Sequence, residues 1–248
     1  MKRLTFIFII VFCKILFAIA VSPDSLMQAG DRNYDNFQMD RALELYKKAY
    51  SQMGDKYPIV LRLTKCYNNI GEDKASEEFY IKAHNYAEKL MEIDSLRAQS
   101  HIYVAMTLGN LALYKGGKEK VKMSNEIVHH AKRAIKLDPT LVHPYVILGI
   151  YYREVAGLNF FLKTFARTFY GEVPDVGYED AEAMFKKAIE RYPELINPRY
   201  HLAKTYEKQS KDEKAIKQYR QILQLEPKDH DDFRKIDIAK DKIGNPDN

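Results

Sequence analysis

Tryptophan is absent, and the 248 residues contain only 11 glycines, 9 prolines and 2 cysteines. So little turn chemistry excludes an all-β fold built from many short strands, because each chain reversal would need Gly, Pro or Asn. Charge of one sign is also scarce. There are 39 basic residues against 34 acidic, a net +5, and Lys2, Arg3 and Lys14 lie in the first twenty residues with no acid beside them. The remainder carries only +2, too little for a nucleic-acid footprint or a broad basic face for acidic tails. What is plentiful is core material. With 18 Tyr, 12 Phe and 46% apolar residues, the chain is a globular, helix-leaning protein and not a disordered or collagen-like one.

The N-terminus reads as a targeting segment. A short basic start is followed by the apolar run from Leu4 to Ala20, closing on Ala18-Ile19-Ala20. This is the layout of a secretory signal peptide cleaved after Ala20. Lys14 interrupts the run and disfavours a membrane span, so export is expected, with anchorage by an uncleaved segment as the alternative. The mass of the purified N-terminus separates the two: a start at Val21 means export, an intact Met1 anchorage or a cytoplasmic chain. Cleavage would leave Cys66 as the sole cysteine, unable to form an internal disulfide and read as a small buried apolar side chain.

Further along, the sequence repeats. Ala181, Phe185, Ala188 and Pro193 recur as Ala215, Tyr219, Ile222 and Pro227, each 34 residues on. Leu148-Gly149 with Tyr152 recurs as Leu202-Ala203 with Tyr206, at 34 residues plus an insertion of 20. A small residue facing an aromatic lets two helices approach closely, and a proline after the last turn ends the helix. These positions resemble the tetratricopeptide repeat. Three looser units precede them, carrying Ala29-Gly30 with Ala42, Tyr46 and Ala49; Leu63 and Tyr67 with Ala83, Ala87 and Leu90; and Leu108 and Leu111 with Ala131, Ala134 and Pro139.

The predicted fold is therefore all-α, a right-handed tetratricopeptide-type superhelix of about five helical hairpins with a C-terminal capping helix. The segments are 1–20 (signal or anchor), 21–56, 57–94, 95–139, 140–193, 194–227, and a cap and tail over 228–248. In the tail, Phe233, Ile236 and Ile243 alternate with charges, and Asp231-Asp232 are expected to be solvated.

The insertion, 154–178, has no counterpart in ordinary repeats. It holds a continuation of the first helix through Glu154-Val155-Ala156-Gly157-Leu158, an aromatic and basic stretch, a Gly171-x-x-Pro174 turn and Tyr178-Glu179. In this it resembles the regulator of microtubule dynamics family. The resemblance implies a scaffold without enzymatic activity or cofactor. It also implies association with microtubules, spindle or organelle membranes in eukaryotic cells, a role open only to a cytoplasmic chain.

Candidate binding residues come from the helical pattern. Arg62, Lys65, Asn69, Arg153, Arg199 and Lys204 are polar positions on first helices, which line the concave groove of such superhelices, and together they suit an acidic or carboxylate-ended protein segment. In the insertion, Phe161, Phe165 and Phe169 form an apolar stripe with Lys163 and Arg167 beside it. The stripe either touches a partner or lipid, or closes the insertion against its own repeats. No catalytic or metal centre is expected. His129-His130 are adjacent rather than a turn apart, and His84, His101, His143, His201 and His230 lack ligand spacing. Gly116-Gly117-Lys118 lacks the rest of a phosphate loop and reads as a turn between helices.

Overall fold

The computed structural model describes residues 21–170 and 175–244, and among them every regular element is a helix. The signal-like segment, the Gly171–Pro174 turn and residues 245–248 lie outside the described residues. Twelve helices follow in order: α1 (Pro23–Asp35), α2 (Met39–Met53), α3 (Tyr57–Lys74), α4 (Glu77–Ile93), α5 (Ala98–Lys115), α6 (Gly117–Leu137), α7 (His143–Ala156), α8 (Phe160–Tyr170), α9 (Tyr178–Arg191), α10 (Ile196–Lys208), α11 (Asp212–Ile222) and α12 (His230–Gly244).

The punctuation is chemical. Pro23, Pro58 and Pro144 sit in the first turns of α1, α3 and α7, where the missing N–H would have had no helical partner. Pro139, Pro193 and Pro227 follow the ends of α6, α9 and α11. Gly116 and Gly117 have φ of +64° and +50°, a left-handed backbone that glycine adopts without a Cβ penalty. This turn is what separates α5 from α6.

Hairpins α1/α2, α3/α4, α5/α6, α7/α9 and α10/α11 pack side by side, each against the next. Close approach comes from the small-to-large pairing. A Cβ on Gly30 would stand 2.4 Å from the Tyr46 ring, and one on Gly149 would stand 2.6 Å from Phe185. The core is accordingly a chain of local clusters. One joins α1, α2 and α3 through Leu43, Tyr46 and Leu63, and another joins α7, α9, α10 and α11 through Phe185, Leu202 and Tyr219.

Two segments depart from the sequence expectation. Helix α8 leans on α6 and buries Ala166, but it leaves Phe160 85%, Phe161 62% and Phe169 67% exposed. The insertion's aromatics therefore do not all close against the repeats. Helix α12 is more than a solvating cap. Ile236, Ala239 and Ile243 do pack on the last hairpins, yet Asp232 and Lys235 are both only 3% exposed. The Asp232 carboxylate accepts the Lys228 N–H at 2.9 Å, and its own N–H donates to Asp229 Oδ1 at 2.9 Å. These bonds close the first turn of α12, where free backbone donors need acceptors, so Asp232 is structural and not solvated.

Candidate functional site

Helix α12 packs on α11 and α10, and its first turn reaches back to the early repeats. Its His230 Nδ1 comes within 3.4 Å of Asp73 Oδ1 at the end of α3. The Phe233 and His230 rings pack edge-on against Phe37 in the α1–α2 turn, at centroid distances of 5.3 and 5.4 Å. Farther along, Lys242 meets Glu207 of α10 at 3.0 Å. One helix thus bridges the last repeat to the first.

Beneath it is a cavity of about 170 Å³. Its walls are mostly apolar, with Met106 of α5, Ile147, Ile150 and Tyr151 of α7, and Ile127 of α6. Polar groups gather at its edges. Glu72 Oε1 accepts from Asn68 at 3.0 Å and Asn110 at 2.5 Å, and Lys120 pairs with Glu154 at 2.8 Å. Burial pushes the Glu72 carboxyl above the usual carboxylate range, against the pull of Lys235 and the amide donors. The same enclosure brings the Lys235 ammonium down to about 8, although Asp229 and Glu72 favour its charged form. Burial also holds His201 well below its ordinary value, helped by Arg153.

The six groove candidates read from the sequence lie on α3, α7 and α10 with partners already in place. Arg62 grips Asp31 bidentately, Nε to Oδ1 and Nη2 to Oδ2, each at 2.7 Å, while the Tyr46 hydroxyl donates to the same carboxylate at 2.8 Å. Burial raises the Asp31 carboxyl, but these donors outweigh it and leave it below the ordinary range. Lys65 stands 5.6 Å from the Tyr34 ring centroid, and Asn69 donates to the Tyr34 hydroxyl at 2.7 Å. Arg153 lies against Glu154 at 3.4 Å and donates toward His201 Nδ1 at 3.3 Å. Arg199 donates to Gln221 and to the Pro193 carbonyl, both at 3.0 Å, and Lys204 meets Glu207 at 3.1 Å. Most of this basic character is therefore neutralised locally, with Lys65 and Arg199 lacking a carboxylate partner among the described residues.

Glu72, Asn110 and Lys235 were not singled out by sequence reasoning, and His201 was named only among histidines without ligand spacing. A signal existed in Asn68 and Glu72, which stand four apart on α3 and share one face. Their meeting with α12 depends on the curvature of the stack, which no local pattern records.

A second cluster joins histidines that are scattered in sequence. His101 Nε2 donates to the Ser95 carbonyl at 3.1 Å, which leaves its Nδ1 to accept from His130 Nδ1 at 2.8 Å. His84 lies near Thr107, 3.3 Å from its hydroxyl. Burial and the neighbouring His101 depress His130 to about 4. No group of three or more metal-ligating side chains assembles among the described residues. Cys66 is fully buried, and burial pushes its thiol up to about 12, which makes it unreactive. No helix among the described residues is long and apolar enough to cross a membrane.

Comparison with known proteins follows the same lines. Regulator of microtubule dynamics protein 1 of Bos taurus is 22% identical over 194 residues, 74% of this chain and 59% of its own length. The Mus musculus protein of the same name is 26% identical over 192 residues, 74% of this chain and 61% of its own. The chain thus spans about three-fifths of these relatives. A thermophilic TPR protein of Thermus thermophilus superposes with a TM-score of 0.65 at 17% identity, over 88% of this chain and 98% of that one, which establishes the tetratricopeptide fold. The sequence profile of regulator of microtubule dynamics protein 1-3 matches residues 26–243, nearly the whole of the described helical stack, and the chain belongs to that family.

Proposed function

We propose that this chain is a non-enzymatic scaffold that takes a helical, acid-ended segment of a partner protein into its concave face, and that α12 is the internal occupant which that partner displaces. The observation that carries this reading is the reach of α12 from α10 and α11 to Asp73 of α3 and Phe37 of the α1–α2 turn. Asp229, at its start, acts electrostatically on Tyr34 of α1 and His143 of α7, and Lys65 acts on the same His143. An acidic residue just before α12 thus acts on the same His143 as Lys65, the lysine of the candidate set without a carboxylate partner among the described residues. The occupant also makes use of a strained turn. Phe37 has φ of +59°, a left-handed conformation that is unfavourable for a bulky side chain, and its ring is held by Phe233 and His230.

Phe37→Gly relaxes that turn while deleting the ring contact, so it loosens α12 without unfolding the first hairpin. A labelled peptide spanning residues 228–244, followed by fluorescence anisotropy, should bind Phe37→Gly at least about tenfold more tightly than the unmodified chain, a change of about 1.4 kcal/mol. Lys65→Glu should reverse the gain. Equal affinity for both chains would overturn the displacement reading, because α12 would then not be competing for the surface.

A further inference from the structure

Helix α8 carries the largest exposed aromatic surface among the described residues, and its chemistry is one-sided. Its sequence, Phe-Phe-Leu-Lys-Thr-Phe-Ala-Arg-Thr-Phe-Tyr, contains no acid. Ala166 is buried toward α6, and Leu162 and Phe165 are half-buried. Phe160, Phe161 and Phe169 point away, with exposures of 85%, 62% and 67%. At 100° per residue these three rings fall within an arc of roughly 180°, with Thr164 and Thr168 between them and Arg167 on its flank. Lys118, at the start of α6, places its ammonium 5.4 Å from the Phe161 ring and 4.9 Å from that of Phe165. Lys118, Lys163 and Arg167 have no ion-pair partner among the described residues.

Three exposed phenylalanines on eleven residues are far more than scattered surface apolar residues account for. Two stand at the start of the helix and one near its end, so all three reach a common plane only when the helix lies flat on it. The cations around them carry no compensating acid on α8. We infer that α8 is a contact for an anionic phospholipid bilayer, lying in the plane of the membrane with its phenylalanines in the acyl boundary and Lys118, Lys163 and Arg167 among the headgroup phosphates. Amphipathic helices of this make-up gain from both apolar burial and charge. Charge complementarity favours a bilayer with acidic lipids over a neutral one, and the contact is independent of the groove, which opens on the inner side of the stack.

The absence of tryptophan from the chain provides the test. In the full-length protein, Phe161→Trp makes a single intrinsic reporter on α8, and Leu96→Trp makes a control reporter at a site 74% exposed in the α4–α5 turn. Each is mixed with vesicles of phosphatidylcholine alone, or of phosphatidylcholine with phosphatidylglycerol, and quenched with brominated lipid. The inference expects a blue shift and quenching of the α8 reporter on the anionic vesicles, little response on neutral ones, and none from the control. Lys163→Glu with Arg167→Glu in the Phe161→Trp background should cut the bound fraction by about tenfold. An unresponsive α8 reporter would overturn it, as would equal responses from both reporters, which would mean attachment through another part of the chain. A blue shift produced as strongly by soluble polyglutamate as by anionic vesicles would also overturn it, assigning the surface to an acidic protein instead.

Discussion

Phe185→Ala should destabilise the C-terminal half of the protein by about 3–5 kcal/mol, the range for emptying a fully buried aromatic site. Phe185 has no exposed surface. Its ring lies over Gly149 of α7 and stacks on His201 of α10 at 5.8 Å and 17°, so it joins three helices from two repeats. Because the core is a chain of local clusters, the loss should appear as an early unfolding step of the last two hairpins, with the cluster around Tyr46 persisting to higher temperature. Gly149 gives a sharper readout. In the unmodified chain, Gly149→Ala drives a methyl to 2.6 Å from the Phe185 ring, an overpacking that costs about 1–3 kcal/mol and exceeds the ~1 kcal/mol gain in helix propensity. In the Phe185→Ala background the clash is gone and only the propensity gain remains. The same Gly149→Ala substitution should therefore change sign, from destabilising to stabilising. Thermal or urea unfolding of the four chains measures this directly, and additive effects would show that the ring does not rest on Gly149.

Acidification should melt the fold well above the usual carboxylate range. His101, His130, His143 and His201 are all held below their ordinary value, in each case first by burial. In the native state they are neutral where the unfolded chain, with histidine near 6.5, is already charged. The unfolded state then binds more protons. Stability is fully present above about pH 6.5 and falls as the pH drops toward the folded values, which for His130 is about 4. Each histidine that stays neutral contributes a slope of up to about 1.4 kcal/mol per pH unit, less for His130, which solvent partly reaches. Geometry adds to this, because a proton on His101 Nδ1 would face the Nδ1–H of His130 across 2.8 Å. Glu72 and Asp232 act in the opposite direction, since burial raises their carboxyls and protonation relieves that cost. The melting temperature should therefore fall most steeply between about pH 6.5 and 4.5. His130→Gln and His201→Gln should flatten the curve, and an unchanged melting temperature from pH 7 to pH 5 would remove this assignment.

Much of the architecture was legible because the repeat is a local chemical rule. Gly30 with Tyr46, and Gly149 with Phe185, are readable as small and large partners 16 residues apart once the 20-residue insertion is set aside, and Pro139, Pro193 and Pro227 mark where helices must stop. The candidate site was legible only halfway. Arg62, Arg153, Arg199 and Lys204 were placed on first helices, but their engagement by Asp31, Glu154, Gln221 and Glu207 depends on contacts 31, 1, 22 and 3 residues away. Only the near ones have a helical spacing or adjacency that a sequence displays. The histidine pair is similar, since His101 and His130 lie 29 residues apart and meet because α5 and α6 fold back on the Gly116-Gly117 turn.

The sequence by itself determined the helices, their ends and the nearest-neighbour packing, because these follow from periodicity, capping and side-chain size within about one repeat length. Only the tertiary structure decided where α12 goes and what α8 leaves bare. The first depends on the accumulated curvature of five stacked hairpins, a sum of small inter-helix rotations, and the second on the docking of the inserted helix against α6. That curvature carries Phe37 to Phe233 across nearly the whole chain, and it turns a terminal amphipathic helix from a solvent-facing cap into a link between the last hairpin and the first.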